Sequence, residues 1–196
     1  MNLVVRALPI VLWLAACDGP RHDEIPDALE ERVPQVDEGT RDLALPLRAL
    51  LRAPDVVIDD ERLSAIAAPD AIAAICEELL ADPTLSRYEQ TRLVSALRWV
   101  DHPQAEVLLE RVLQRPETSV FVRRVAVKAH AHRAGARALP LLARFADDDD
   151  RHTREAVIRA LATIDGQAAK RLLVERRVQD PAPDLRALAT RLSTPR

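Results

Sequence analysis

The chain has 196 residues, of which 48% are hydrophobic but only 3% aromatic, so a domain of this length must build its core from aliphatic side chains. The abundance of Ala, Leu and Arg favours helices over a β-sandwich or β-barrel, and four glycines are too few for a dinucleotide-binding fold with glycine-rich turns. The net charge of −3 gives no support for nucleic-acid binding.

The first 17 residues look like an export signal. An arginine supplies a positive end, and residues 7–16 form an apolar stretch that is shorter than the roughly 20 residues of a membrane-spanning helix. The run Leu14-Ala15-Ala16-Cys17 resembles the lipobox of bacterial lipoproteins, which is an aliphatic residue and two small residues before an invariant Cys. The resemblance implies cleavage between Ala16 and Cys17, which makes residues 1–16 a signal peptide.

The lipobox resemblance also implies what Cys17 carries and where the protein resides. It implies a diacylglyceryl thioether on the sulfur and an acyl chain, such as palmitate, on the new amino group, and two or more chains give stable anchoring. We therefore expect a protein of the cell envelope, lipid-anchored on the periplasmic side of the inner or outer membrane, with no other cofactor. An ordinary secretory signal with a chance cysteine is the alternative, and Asp18 does not decide between the two membranes.

Residues 17–40 are predicted to be the acylated cysteine and a disordered acidic tether. Positions 18–40 hold eight acidic residues, two arginines and three prolines, with no sustained apolar period. Such a segment cannot bury enough apolar surface to offset the entropy lost on ordering.

From residue 41 onward, apolar residues recur at helical spacing. Three helices near 41–52, 60–68 and 70–81 are predicted to form a degenerate N-terminal cap over residues 41–83, because the first repeat of a solenoid must hide its apolar face. Residues 84–196 repeat at intervals of 31–33 residues. Helix pairs are expected at 86–100 with 104–114, 119–133 with 136–146, and 151–164 with 167–178, followed by a closing helix at 184–193.

The repeat has a shared ending in its first helix: Ala, Leu, an aliphatic residue and Asp. Residues 96–101 and 160–165 both follow this pattern, and Ala129-His130 falls between them. The pattern resembles HEAT repeats, in particular the short form called PBS-lyase-like, although the usual Gly after Ala-Leu is missing. The resemblance implies an all-α fold, an α-solenoid of about four HEAT-like helix pairs, after the cleaved signal peptide and the disordered tether.

Arginines near the start of successive first helices form a second periodic feature. Arg123, Arg154 and Arg186 are spaced by 31 and 32 residues. In HEAT-like families such arginines commonly pair with loop aspartates of adjacent repeats, so the resemblance favours a structural ladder over a row of phosphate-binding groups. The available aspartates are Asp147–Asp150, Asp165, Asp180 and Asp184.

The sequence offers no nucleophile–base motif and no phosphate loop, and the predicted function is that of an adaptor or scaffold without catalysis. Its partners would be the membrane, through the lipid, and an unidentified protein, but no nucleic acid. We predict that the second helices of the repeats hold the protein partner. The cations expected on this surface are Arg111, Arg137, Arg144 and Lys170.

The alternative function is a metal-dependent sensor or enzyme. Four consecutive aspartates, Asp147, Asp148, Asp149 and Asp150, together with His152, could bring several oxygens and a nitrogen to one Ca²⁺ or Zn²⁺ ion. No EF-hand spacing follows, so a solvated loop whose last aspartate caps a helix is the simpler interpretation.

Two further residues are predicted to serve packing. Cys76 lies in an apolar run and is expected to be a buried small hydrophobe rather than a reactive thiol. His130 occupies the position that Leu fills in other repeats, and we expect it to be partly buried.

Overall fold

Helices make up about three quarters of residues 38–194, the part of the chain that the computed structural model describes, with side chains described from residue 43 onward. In chain order they are α1 (Glu38–Arg52), α2 (Asp60–Ser64), α3 (Pro69–Ala81), α4 (Arg87–Ala96), α5 (Pro103–Gln114), α6 (Val120–Ala134), α7 (Leu139–Phe145), α8 (Arg151–Leu161), α9 (Gln167–Gln179) and α10 (Pro183–Ser193). Over these residues there is no strand. The predicted signal peptide 1–16, the lipidation site Cys17 and nearly all of the predicted tether 17–40 lie outside the described residues.

The helices form two layers. In one layer α1, α4, α6, α8 and α10 pack side by side; in the other, α3 packs on α5 and α7 packs on α9. The pairs α1/α3, α4/α5, α6/α7 and α8/α9 thus stack along the chain, and α10 closes the stack by packing on α8 and α9. The predicted all-α solenoid of four helix pairs is confirmed.

The helices begin where local capping groups allow them to begin. Ser86 and Glu89 form a reciprocal capping box at the start of α4. The Ser119 hydroxyl accepts the Val122 N–H at the start of α6. At the start of α8, the Asp150 carboxylate accepts the Thr153 N–H at 2.6 Å. These side chains satisfy donors that a helix terminus otherwise leaves free.

Three predicted helices are shorter than the apolar spacing suggests, and the one expected over 151–164 ends at Leu161. The helix expected over 60–68 ends at Ser64, and Ala68 takes the extended backbone that a following proline favours. The helix expected over 136–146 starts with a 3-10 turn, Gly135–Ala138, because Gly135 interrupts the α-helical backbone with a φ of +54°. A second 3-10 turn, Leu97–Trp99, extends α4.

The core is aliphatic, as the composition predicts. Buried Leu, Ile, Val and Ala side chains run as one cluster from Leu47 on α1 to Ala189 on α10. Because each helix buries its apolar side against neighbours in both layers, no pair could hold this core alone. No helix in the described range is long and apolar enough to cross a membrane.

Candidate functional site

The three periodic arginines first bind the loops that precede their own helices. Each guanidinium donates to backbone carbonyls five or six residues earlier in the chain. The acceptors are Thr118 for Arg123, Asp148 and Asp149 for Arg154, and Asp180 and Pro181 for Arg186. The arginines therefore tie each inter-repeat loop to the helix that follows it.

Two of these arginines also reach the loop of the next repeat. Arg123 Nη1 lies 3.6 Å from Asp148 Oδ2, and Arg154 Nε donates to Asp180 Oδ2 at 3.1 Å. The Arg154–Asp180 pair is buried. A buried, hydrogen-bonded pair of this kind joins successive repeats rather than presenting its charge to solvent.

Three of the four consecutive aspartates have different partners, and the Asp149 side chain has none among the described residues. Asp147 accepts a hydrogen bond from Arg176 Nη1 at 2.6 Å, and Asp148 accepts the Asp150 N–H at 2.8 Å. Asp150 caps α8: its burial opposes ionisation, but hydrogen bonds from Thr153 outweigh the burial and hold the pKa of this carboxyl below its usual range. In the described range no three or more His, Cys, Asp or Glu side chains come together as a metal site.

The cations predicted for the second helices are exposed, but two of them are already paired. Arg111 Nη1 lies 2.6 Å from Glu77 Oε1, and Arg137 Nη2 lies 2.6 Å from Glu106 Oε2. The hydrogen bond from Arg137 lowers the pKa of Glu106. Arg144 and Lys170 are exposed and form no ion pair with a described side chain. Half of the predicted positive row is thus neutralised by acids of the preceding helix pair.

Cys76 is fully buried on α3, and burial raises the pKa of its thiol to about 12. The sulfur stays protonated at physiological pH and is shielded from reagents. His152 is exposed, with Nδ1 3.8 Å from Glu155 Oε2, and it belongs to no cluster of three or more possible metal ligands among the described residues.

A surface that the sequence analysis missed lies on α4 and α6. Tyr88 and Phe121 occupy equivalent positions, two residues after the capping serines, and they stay 48% and 56% exposed. A guanidinium lies over each ring: Arg92 is 5.7 Å from the Tyr88 centroid, and Arg124 is 5.6 Å from the Phe121 centroid. The 33-residue spacing of the two aromatics was the available signal.

The same pattern continues at the other end of these two helices. Arg98 lies 5.0 Å from the Trp99 ring centroid, and Trp99 makes an edge contact with His132 at 5.0 Å. Because the ends of α4 and α6 touch through this pair, the helices run parallel and Tyr88 and Phe121 lie at the same end. We call this surface the α4–α6 face; it comprises Tyr88, Arg92, Arg98, Trp99, Phe121, Arg124, Lys128 and His132.

The α4–α6 face is positively charged. Residues 118–146 contain no Asp or Glu, and Arg92, Arg98, Arg124 and Lys128 form no ion pair with a described side chain. The acid of α4, Glu89, is buried within the capping box. Hydrogen bonds from Ser86 and Arg52 lower the pKa of Glu89 to about 2, so its negative charge is already paired with these two donors.

Comparison with known proteins agrees with this architecture. Residues 105–192, from α5 to α10, match the family model described as HEAT repeats; the match covers less than half of the chain. No curated protein and no solved structure matches the chain. The fold defines a helical-repeat protein, and its C-terminal half is similar to HEAT repeats, which generally mediate protein–protein interactions.

Proposed function

We propose that this protein is a non-catalytic adaptor that is lipid-anchored to a membrane of the cell envelope and holds a protein partner outside the cytoplasm. HEAT repeats serve protein interaction, which supports the adaptor role. The resemblance of Leu14-Ala15-Ala16-Cys17 to a lipobox supports the anchor and the location. The α4–α6 face is the surface on which we expect the partner to bind.

One observation carries the choice of this face: two exposed aromatic rings, each covered by an arginine, lie at equivalent positions on neighbouring helices. Tyr, Trp and Arg dominate the binding energy of protein interfaces, because they bury a large rigid area and donate several hydrogen bonds. The chain is only 3% aromatic, yet these two rings lie on the surface. Core packing therefore does not account for them. By contrast, two of the four cations predicted on the second helices, Arg111 and Arg137, already form ion pairs within the protein.

The test is cross-linking of the anchored protein in membranes of the cells that produce it, followed by capture and mass spectrometry. The double variant Tyr88→Ser/Phe121→Ser should lose a captured partner that the unaltered protein retains. The matched control is Val107→Ser/Val178→Ser, which removes side chains that are 46% and 77% exposed in the other layer. The control should capture the partner normally.

Two further variants separate the elements of the proposal. Arg111→Glu/Arg144→Glu reverses charges on the second helices; if this variant loses the partner and the aromatic variant keeps it, the site lies on the second helices. Cys17→Ser removes the acylation site, and the protein should then leave the membrane fraction. A Cys17→Ser protein that stays in the membrane fraction would refute lipid anchoring, and no captured partner in any form would refute the adaptor role.

A further inference from the structure

We infer that the α4–α6 face recognises an acidic segment of the partner, and that a carboxylate and a neighbouring apolar side chain of that segment occupy a cavity between α4 and residues 54–58. This inference rests on the proposed function, because it names the chemistry of the partner that the adaptor would hold. Three features of the described residues support it: the sign of the local charge, the lining of the cavity, and the state of its two arginines.

The charge of the face is opposite to that of the chain as a whole. The net charge of the chain is −3, whereas α6 contributes Arg124 and Lys128 to this face and no acid, because residues 118–146 contain no Asp or Glu. On the α4–α6 face, Arg98, Arg124 and Lys128 have no ion-pair partner among the described side chains. An acidic partner would be attracted to this face at long range, and a basic partner would be repelled.

The cavity has one apolar wall and one cationic wall. Its volume is about 300 Å³. Pro54 and residues 56–58 form the apolar side, while Arg92, Ser95 and Arg98 line the side formed by α4. This volume is at the low end for small-molecule sites, which span roughly 300–1,000 Å³, and it suits one or two side chains better than a cofactor.

The two arginines of the cavity differ in how firmly their guanidinium groups are held. Arg92 is held in place, because its Nη2 donates to the carbonyls of Leu50 and Val56 at 3.2 and 2.6 Å while its guanidinium stacks on Tyr88. Arg98 makes no hydrogen bond to a described residue and rests on Trp99. Arg92 Nη1 and the two Nη atoms of Arg98 have no acceptor among the described residues, and unlike the Nε atoms they are not fully buried. A carboxylate can accept from these nitrogens, and a fixed guanidinium binds it with little loss of side-chain entropy.

Asp55 also lines this cavity, is exposed, and forms no ion pair with a described side chain. Its negative charge would oppose an incoming carboxylate and favour an incoming cation. The sign of the effect of Asp55→Asn therefore reports the charge of the ligand.

An anionic lipid surface shares the charge and the apolar character of an acidic peptide. The cavity favours the peptide, because a concave pocket accepts an inserted side chain whereas a bilayer surface meets a protein along a broad front. Vesicles therefore form a separate arm of the test.

The experiment measures binding of a short fluorescein-labelled peptide of alternating Glu and Leu by fluorescence anisotropy at low salt. The protein is the full chain carrying Cys17→Ser in dilute non-ionic detergent. The matched probe replaces every Glu with Gln. Vesicles of phosphatidylglycerol with phosphatidylcholine, and of phosphatidylcholine alone, are tested by flotation.

We expect the Glu/Leu peptide to bind, the Gln/Leu peptide to bind at least about tenfold more weakly, and added salt to weaken the interaction. Arg98→Gln should weaken binding by about tenfold, because it removes a charge-assisted hydrogen bond. Arg144→Gln, the matched loss of an exposed cation on α7, should leave binding unchanged, and Asp55→Asn should tighten it. Thermal unfolding of each variant verifies that it is folded.

Equal binding of the two peptides, or an unchanged affinity in Arg98→Gln, would overturn the inference. Flotation with phosphatidylglycerol vesicles that depends on Arg98, without peptide binding, would overturn it in favour of a membrane-facing surface. If the peptide fails to bind while cross-linking still captures a partner through Tyr88 and Phe121, the inference falls and the adaptor role stands. Failure of both experiments refutes the proposed function itself.

Discussion

Replacing His130 with Leu should make the protein more stable. His130 is fully buried on α6, and neither of its ring nitrogens has a hydrogen-bond partner among the described residues. Its Nε2 lies 3.9 Å from Glu110 Oε1, beyond hydrogen-bonding distance. The equivalent positions of the neighbouring first helices carry Leu97 and Leu161, and both are buried. The environment of His130 is thus one in which the fold elsewhere uses leucine.

The magnitude follows from the two unsatisfied nitrogens. A buried donor or acceptor without a partner costs about 1–3 kcal/mol, and Leu has a similar size with no polar atom. We therefore expect His130→Leu to raise the free energy of unfolding by roughly 1–3 kcal/mol at pH 8. In a domain of this size each kcal/mol raises Tm by roughly 2–4 °C.

The same substitution should remove a dependence on pH. Burial lowers the pKa of His130 below its ordinary value of 6.5, although Glu110 and Glu106 oppose this effect. In the folded protein the ring stays neutral at pH values where the unfolded chain binds a proton. Stability is therefore complete above about pH 6.5 and falls as pH decreases toward the folded pKa, by up to about 1.4 kcal/mol per pH unit.

Urea unfolding at pH 8 and pH 5.5 measures both effects. The advantage of His130→Leu should grow by about 1 kcal/mol at the lower pH. The matched control is His152→Leu on the exposed side of α8, which should change stability by less than about 0.5 kcal/mol. A destabilised His130→Leu at pH 8, or an unchanged pH dependence, would refute this reasoning.

Three further predictions concern groups with structural roles. Asp180→Ala leaves the Arg154 guanidinium buried without its carboxylate and should destabilise the protein by about 3–5 kcal/mol in urea unfolding; a loss below about 1 kcal/mol would contradict the role of the pair. Ser86→Ala breaks the capping box and should lower the free energy of unfolding by about 1 kcal/mol. The pKa of Glu89 then returns toward its ordinary value, so the variant should lose less stability than the unaltered protein on acidification from pH 4.5 to 2. Calorimetry with millimolar Ca²⁺ or Zn²⁺ should give no binding heat, because Asp147, Asp148 and Asp150 bind Arg176, Arg123 and the start of α8; micromolar binding would contradict this prediction.

Much of the fold could be predicted from the sequence, because helix formation and capping are local. Ser86, Ser119 and Asp150 precede their helices at positions that the sequence makes visible, since a cap bonds to a backbone group only three residues away. The 31–33-residue repeat likewise predicts stacked helix pairs. The charge of the α4–α6 face was also present in the sequence, as an acid-free run over 118–146, but its meaning depends on which side chains are exposed.

The tertiary structure decided which charges remain available and which polar groups are buried. Arg111 and Arg137 are periodic cations in the sequence, yet stacking of the pairs brings Glu77 and Glu106 to them from 34 and 31 residues away. The same stacking encloses His130, leaves Tyr88 and Phe121 exposed, and forms the cavity between α4 and residues 54–58. These features depend on the angle and distance between neighbouring helices. Because side-chain packing across repeats sets that geometry, helical periodicity within one repeat does not determine it.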